Sequence, residues 1–189
     1  MLEVEVKYQV DSFDSVLEQL RRWDAELVEE RSDADTYFNA PHRDFAQTDE
    51  ALRLRRIGTR NLVTYKGPRC DAATKTRTEI EVPLGEGNAC AEDTQRLLQE
   101  LGFRPVATVR KRRRVFATKR AGYNVEICCD EVEQLGPYVE IEIIAPDHQF
   151  AKARNVVLQT AAELGLTVPE HRSYLELLLQ VLEKGNAEA

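Results

Sequence analysis

The chain begins Met1-Leu-Glu3-Val-Glu5-Val-Lys7-Tyr-Gln-Val, in which polar and apolar residues alternate without a break. Successive side chains of a β-strand point to opposite faces, so the pattern predicts a strand over residues 2–10 with Glu3, Glu5 and Lys7 on one face. Two carboxylates and an ammonium side by side are groups that can bind a metal ion and a phosphate. The prediction of such a binding site is stronger if other strands show the same pattern.

Seven further segments show strand-like alternation. They cover residues 25–38, 50–57, 61–67, 75–84, 104–117, 122–130 and 137–144. Short turns at Gly58-Thr59 and Arg120-Ala121-Gly122 favour antiparallel hairpins between neighbouring strands.

Apolar spacing of the helical type predicts four helices, over about 13–20, 91–101, 147–165 and 173–184. We expect Asp147 to cap the third helix and Gly165 to end it. Ser173 and Glu176 form a capping-box pattern at the start of the fourth helix.

Several strands carry two charges of the same sign at alternate positions. These pairs are Glu3/Glu5, Arg53/Arg55, Glu79/Glu81 and Glu140/Glu142. Like charges side by side on one face repel each other, which indicates that an ion of opposite charge lies between them. Carboxylate pairs therefore predict divalent cations, and arginine pairs predict a polyanion.

One strand is ambiguous, because cations occupy both of its faces. In the segment 109–116, alternation leaves open whether Lys111 and Arg113 or Arg110, Arg112 and Arg114 join the charged face.

A twisted sheet of eight strands can curl into a barrel whose interior receives every second side chain. The charged positions would then line the interior, and the apolar positions would face outward beneath the helices. Such an interior is stable only if it is wet and its charges are paired or bound to ions. The expected fold is α+β, an eight-stranded antiparallel β-barrel with a charged interior and about four flanking helices. We expect a single domain over residues 1–184 and a frayed tail over 185–189.

Composition narrows the class of protein. The 189 residues carry a net charge of −7, which argues against bulk binding of nucleic acid. No apolar run approaches the ~18 residues of a membrane span, and the acidic start is unlike a signal peptide. Cys70, Cys90, Cys128 and Cys129 lack metal-binding spacing, so we expect free thiols in a reducing cytoplasm.

Taken in order, these residues resemble the CYTH superfamily, also called triphosphate tunnel metalloenzymes, over nearly the whole chain. The matching stretches are Glu3-x-Glu5-x-Lys7, Tyr37-Phe38, Ala51-Leu-Arg53-Leu-Arg55, Tyr65-Lys66-Gly67-Pro68, Arg77-x-Glu79-x-Glu81, Lys111-x-Arg113, Asp130-x-Val132-x-x-Leu135-Gly136 and Glu140-x-Glu142. Arg43-Asp44-Phe45-Ala46, Lys111-Arg112-Arg113-Arg114 and Ser173-Tyr174-Leu175 further resemble the CyaB-type class IV adenylate cyclases. Asn39 departs from the pattern, since relatives often carry Asp there.

The resemblance implies an enzyme that converts ATP to cyclic AMP and pyrophosphate with Mg²⁺ or Mn²⁺, as a homodimer. The implied triphosphate-binding residues are Lys7, Arg53, Arg55, Lys66, Lys75, Arg77, Lys111 and Arg113. The implied metal ligands are Glu3, Glu5, Glu79, Glu81, Asp130, Glu140 and Glu142. The implied catalytic residues are Glu5, Lys7, Lys111 and Arg113.

Two other functions fit the same residues. The first is a metal-dependent hydrolase of thiamine triphosphate or inorganic tripolyphosphate, and the second is a non-catalytic module that binds polyphosphate or nucleotides. The carboxylate pairs argue against the second, because an anion binder gains nothing from acids. His42, His148 and His171 lie outside the charged strands, so we expect none of them to act as a base. We expect Tyr37 to lie in the core.

Overall fold

The computed structural model describes residues 2–69 and 77–187, which form one sheet of eight strands and five helices. The strands are β1 Leu2–Gln9, β2 Glu26–Asn39, β3 Ala51–Ile57, β4 Arg60–Arg69, β5 Arg77–Pro83, β6 Arg104–Arg120, β7 Tyr123–Val132 and β8 Gly136–Ala145. The helices are α1 Asp14–Arg22, α2 Phe45–Thr48, α3 Gly87–Glu100, α4 Phe150–Glu163 and α5 Tyr174–Ala187, with a 3₁₀ turn at Asp147–Gln149.

The strands follow the order β1-β8-β7-β6-β2-β3-β4-β5, and every neighbouring pair is antiparallel. Two-residue turns join β3 to β4 at Gly58-Thr59 and β6 to β7 at Ala121-Gly122. Gly58, Ala121 and Gly122 have positive φ, as tight hairpin turns require. The expected α+β fold with an eight-stranded antiparallel sheet is confirmed.

The sheet curls so that its two edge strands approach each other. Side chains cross the gap between β1 and β5, where the carboxyl groups of Glu3 and Glu79 interact. Within the part of the chain that the structure describes, no backbone pairing joins these two strands. The sheet is therefore an open barrel, with a concave inner face and a convex outer face.

The polarity of the barrel is inverted, as the alternation predicts. On the outer face of β1, β7 and β8, apolar residues such as Val4, Ile127 and Ile141 are completely buried. They pack beneath α1 and α4, which contribute Leu20 and Val157 to the same cluster. Burial of this outer apolar area drives folding, as burial of apolar side chains between two packed sheets does in a β-sandwich.

Two other helices cover further apolar surfaces of the sheet. Helix α3 places Ala91 against Phe38 and Leu54 on the outer face of β2 and β3. Helix α5 packs at one end of the interior, where Tyr174 and its neighbours meet inward residues of β2, β6 and β8. This second position brings a helix into contact with the charged face.

Several helix boundaries differ from the sequence prediction. Helix α3 begins at Gly87 because buried Asn61 donates to the carbonyls of Gly85 and Gly87, at 2.8 and 2.9 Å, and so fixes the approach to the helix. The expected cap at Asp147 is wrong, because Asp147 lies in the 3₁₀ turn and Gln149 precedes α4 without a side-chain capping bond. Helix α5 continues to Ala187, three residues beyond the expected end.

The capping box at the start of α5 is confirmed. The Ser173 amide donates to Glu176 Oε2 at 2.6 Å, and the Glu176 amide donates to Ser173 Oγ at 3.1 Å. The short helix α2 was not predicted, because four residues show no helical periodicity. It starts where Asp44 Oδ1 accepts from the Ala46 amide, and Asn39 Oδ1 accepts from the Phe45 amide.

Cys90, Cys128 and Cys129 are free thiols, as expected, whereas Cys70 lies outside the described residues. None of the described helices is long and apolar enough to cross a membrane.

Replacing Ile141 with Ala should lower the free energy of unfolding by about 2–5 kcal/mol, because the side chain is completely buried under α4. Ile144 lies on the same strand with 63% of its surface exposed, so Ile144→Ala is the matched control and should change stability by less than about 0.5 kcal/mol. Urea unfolding measures both. Equal effects would contradict the inverted polarity.

Candidate functional site

A cavity of about 500 Å³ lies between the concave face of the sheet and the first turns of α5. Seven of the eight strands contribute charged side chains to its wall. They are Glu3, Glu5, Lys7, Arg31, Asp35, Arg53, Arg55, Lys66, Arg77, Glu79, Glu81, Lys111, Arg113, Glu140 and Glu142. So many charges facing one another require mutual pairing, and the structure shows how they pair.

Asp35 on β2 holds Arg53 and Arg55, the two arginines of β3 that line the cavity. Arg55 donates to both of its carboxylate oxygens at 2.7 Å, and Arg53 Nη1 reaches Asp35 Oδ2 at 3.4 Å. The pairing follows from the register, since Asp35 lies directly opposite Arg55. Burial alone would raise the pKa of Asp35, but the charges of Arg53 and Arg55 outweigh it and hold that pKa well below its usual range.

Asp130 on β7 has a similar role on the other side of the cavity. It accepts from Lys111 Nζ at 2.9 Å, from Arg113 through two nitrogens at 2.6 Å and from the Tyr174 hydroxyl at 2.9 Å. Arg113 also pairs with Glu140. Burial opposes ionisation of Asp130, but Lys111 and Arg113 outweigh burial and lower its pKa. The same contacts settle the ambiguous strand, because Lys111 and Arg113 point inward while Arg110 and Arg112 are exposed.

Strands β3 and β4 and the edge strand β5 carry a third group of pairs. Lys66 Nζ lies 2.6 Å from Glu79 Oε2, and Arg53 Nη2 lies 3.5 Å from Glu79 Oε1. Thr64 donates to Glu81 Oε2 at 3.3 Å. These contacts tie β3, β4 and β5 together on the inner face.

Three carboxylates converge where β1 meets β8. One oxygen each from Glu3, Glu5 and Glu142 lies within 4.8 Å of the other two. Burial raises the pKa of Glu142 to about 7, which Arg113 opposes and the negative charges of Glu5, Glu140 and Glu126 reinforce. Burial also raises the pKa of Glu3 well above its usual range. A bound cation would favour the ionised forms of Glu3 and Glu142. Carboxylate oxygens are hard donors, which suit Mg²⁺ or Mn²⁺.

The structure brings most of the residues expected from sequence into this one cavity. Asp130 is not part of its wall, because it lies behind Lys111 and Arg113 with its oxygens occupied by hydrogen bonds. Lys75 lies outside the described residues. His42 and His148 are exposed and do not line the cavity, whereas His171 is exposed at its rim. Tyr37 is buried beside α5, as expected, and also lines the cavity.

Sequence reasoning missed Arg31, Asp33, Asp35 and Tyr174. The first three alternate along β2 ahead of Tyr37, which is the signal that identified the other strands, and Asp33/Asp35 is a further pair of like charge. Arg31 Nε donates to Asp33 Oδ1 at 3.1 Å, so this strand also pairs charges within itself. Tyr174 gave no such signal, because its role depends on where α5 packs.

Asp35→Asn should lower the free energy of unfolding at pH 7 by roughly 3–5 kcal/mol, because it leaves buried Arg55 without its counter-charge. The folded-state pKa of Asp35 is lowered, so its contribution is present above the unfolded value of about 3.9 and is lost as pH falls below it. The wild type should therefore lose stability between about pH 5 and pH 2 more steeply than Asp35→Asn. Exposed Asp11→Asn is the control, and equal slopes for the wild type and Asp35→Asn would contradict the ion pairing.

Comparison with known proteins agrees with this geometry. A curated relative from Methanocaldococcus jannaschii, MJ0240, is 34% identical over 94% of this chain and 98% of its own and carries the provisional name of an adenylate cyclase. Adenylate cyclase CyaB of Aeromonas hydrophila is 27% identical over 95% of this chain and 90% of its own. The solved structure of PH1819 from Pyrococcus horikoshii is 38% identical, covers 94% of this chain and 98% of its own, and superposes with a TM-score of 0.83.

A more distant solved structure shows the fold alone. It is an adenylyl cyclase-like protein from Hippeastrum, described as having a dominant triphosphatase activity, with 15% identity and a TM-score of 0.64 over 95% of each chain.

The family model of the CYTH domain matches residues 1–174, which include all eight strands and every charged side chain that the strands contribute to the cavity. The chain belongs to the CYTH domain family.

Proposed function

We propose that this protein is a metal-dependent enzyme that converts ATP to cyclic AMP and pyrophosphate. The observation that carries the proposal is the presence, in one cavity, of rows of cations and a separate cluster of three carboxylates. The curated relatives whose names give adenylate cyclase activity support the same reaction.

The cations form the binding site for the triphosphate. Arginine can make two parallel hydrogen bonds to a phosphate. Asp35 holds Arg53 and Arg55, and Asp130 holds Arg113, so the positions of all three guanidinium groups are fixed. We propose that these residues bind the phosphates: Lys7, Arg53, Arg55, Lys66, Lys75, Arg77, Lys111 and Arg113.

The three converging carboxylates form the metal site. We propose that Glu3, Glu5 and Glu142 ligate Mg²⁺ or Mn²⁺ directly, which their oxygen chemistry and mutual distances support. The pairing of Glu79, Glu140 and Asp130 with cations supports a positioning role for these three, and Glu81 remains a candidate ligand. When bound, the metal would lower the pKa of a coordinated hydroxyl and offset developing negative charge.

In this reaction the ribose 3′ oxygen bonds to the α-phosphorus, and the bond between that phosphorus and the bridging oxygen to the β-phosphate breaks. The hydroxyl proton is lost to solvent, and pyrophosphate leaves with the electron pair. Lys111 and Arg113 would neutralise charge on the leaving pyrophosphate, and the cavity wall would orient the attacking oxygen.

Apolar side chains at the rim of the cavity favour a substrate with an organic part. At the end next to α2 and α5, the rim carries Phe45, Val106, Leu175 and Leu179 beside the acids Asp44, Asp49, Glu50 and Glu176. Val106 is 41% exposed, although it is a large apolar side chain beside a charged interior. Inorganic tripolyphosphate would leave this rim unused, whereas a nucleoside would cover it.

The alternative is hydrolysis of a triphosphate, because the charged part of the cavity would bind the phosphates in either reaction. The dominant triphosphatase activity described for the Hippeastrum protein is consistent with this alternative. A module that only binds the anion is the third possibility.

One assay separates the three functions. The protein is incubated with ATP, thiamine triphosphate or tripolyphosphate, each with Mg²⁺ or Mn²⁺, and the products are resolved by chromatography. We expect cyclic AMP and pyrophosphate from ATP. Orthophosphate without cyclic AMP would refute the cyclase reaction in favour of hydrolysis, and binding without turnover would refute both enzymes.

Glu5→Gln should reduce metal-dependent turnover by at least about 100-fold, because it removes one charged ligand from the proposed metal site. Glu131→Gln is the matched control, since Glu131 is exposed on the outer side of β7. It should retain the wild-type rate. Full activity of Glu5→Gln at low metal concentration would remove Glu5 from the metal site.

A further inference from the structure

Tyr174 is a residue of α5 that contacts four strands of the barrel at once, β1, β6, β7 and β8. It is only 7% exposed, although it is the first residue of its helix. Its hydroxyl donates to Asp130 Oδ2 at 2.9 Å. Its ring centroid lies 3.9 Å from Lys7 Nζ and 5.1 Å from Lys111 Nζ, both within the ~6 Å range of a cation–π interaction.

The chain just before the helix reinforces this contact. Lys7 Nζ donates to the carbonyl oxygen of Arg172 at 2.6 Å, and the Ser173–Glu176 capping box fixes where the helix starts. The rings of Tyr138 and Tyr174 pack edge to face at a centroid distance of 5.2 Å. The position of the ring is therefore set from several sides.

An aromatic ring holds an ammonium group differently from a carboxylate. The negative face of the ring attracts the cation but carries no net charge, so it does not cancel the ammonium charge as the Asp130 carboxylate does on the other contact of Lys111. That property suits lysines that must be fixed in place and still attract an anion. Without the ring, the ammonium groups of β1 and β6 would lose a shared neutral contact.

We propose that Tyr174 is a positioning residue, whose ring holds the ammonium groups of Lys7 and Lys111 where they bind a triphosphate. This inference rests on the proposed triphosphate site, but it does not depend on which reaction follows. It also gives α5 a function in the site beyond closing one end of the barrel.

The ring and the hydroxyl can be tested separately. Tyr174→Phe keeps the ring and removes only the hydrogen bond to Asp130, whereas Tyr174→Met keeps much of the apolar volume and removes the ring. Binding of inorganic tripolyphosphate is measured by calorimetry in the presence of EDTA, which excludes metal binding and turnover. We expect Tyr174→Phe to bind within about twofold of wild type and Tyr174→Met to bind about tenfold more weakly.

Leu177→Ala is the matched control for lost packing, since Leu177 is buried to the same extent in the same cluster and does not line the cavity. It should lower the unfolding temperature and leave tripolyphosphate affinity unchanged. Tyr174→Leu is a second non-aromatic replacement if Tyr174→Met does not fold.

Three results would overturn the inference: wild-type affinity in the non-aromatic variants, an equal loss in Leu177→Ala, or a tenfold loss in Tyr174→Phe. Absence of cyclic AMP in the turnover assay would refute the proposed reaction and leave these affinities meaningful. Failure of the wild type to bind tripolyphosphate would overturn the triphosphate site and this inference together.

Discussion

The structure depends on the pairing of buried charges across neighbouring strands. A sheet whose concave face carries arginine, lysine and carboxylate groups is unstable unless each charge finds a partner. Asp35 and Asp130 meet this requirement at two places, each binding an arginine through two hydrogen bonds. Because the charges face inward, the apolar side chains face outward, and α1, α3 and α4 are needed to cover them.

The same pairing prepares the cavity for a ligand. Ion pairs on the side away from the cavity fix the positions of the cations, and their remaining donors point into the cavity. A ligand can therefore bind to this preorganised site without large rearrangement of the side chains. The carboxylates of Glu3, Glu5 and Glu142 differ from Asp35 and Asp130, because they crowd one another and their mutual repulsion favours a cation between them. One sheet thus separates a region that attracts anions from a region that attracts a metal ion.

Much of this arrangement could be predicted from the sequence, because a strand has a period of two and the charge pairs mark one face. The strands and the inward direction of residues such as Arg53 and Glu140 followed from that rule alone. It failed to separate Lys111 from its neighbours, since cations occupy both faces, and only the register with Asp130 on β7 decides the matter. The position of α5 depends on long-range packing, so the contacts of Tyr174 had no local signal. The wrong cap at Asp147 reflects a 3₁₀ turn that delays the helix.

The central claim is that the paired interior charges form a binding site for a polyanion and are more than a structural feature. The most direct test is the unfolding temperature of the metal-free protein as tripolyphosphate is added, with sodium chloride at matched ionic strength as the reference. A ligand that binds only the folded state stabilises it in proportion to the logarithm of its concentration above Kd. We predict a steady rise with tripolyphosphate that sodium chloride does not reproduce. Identical curves in the two salts would contradict the account.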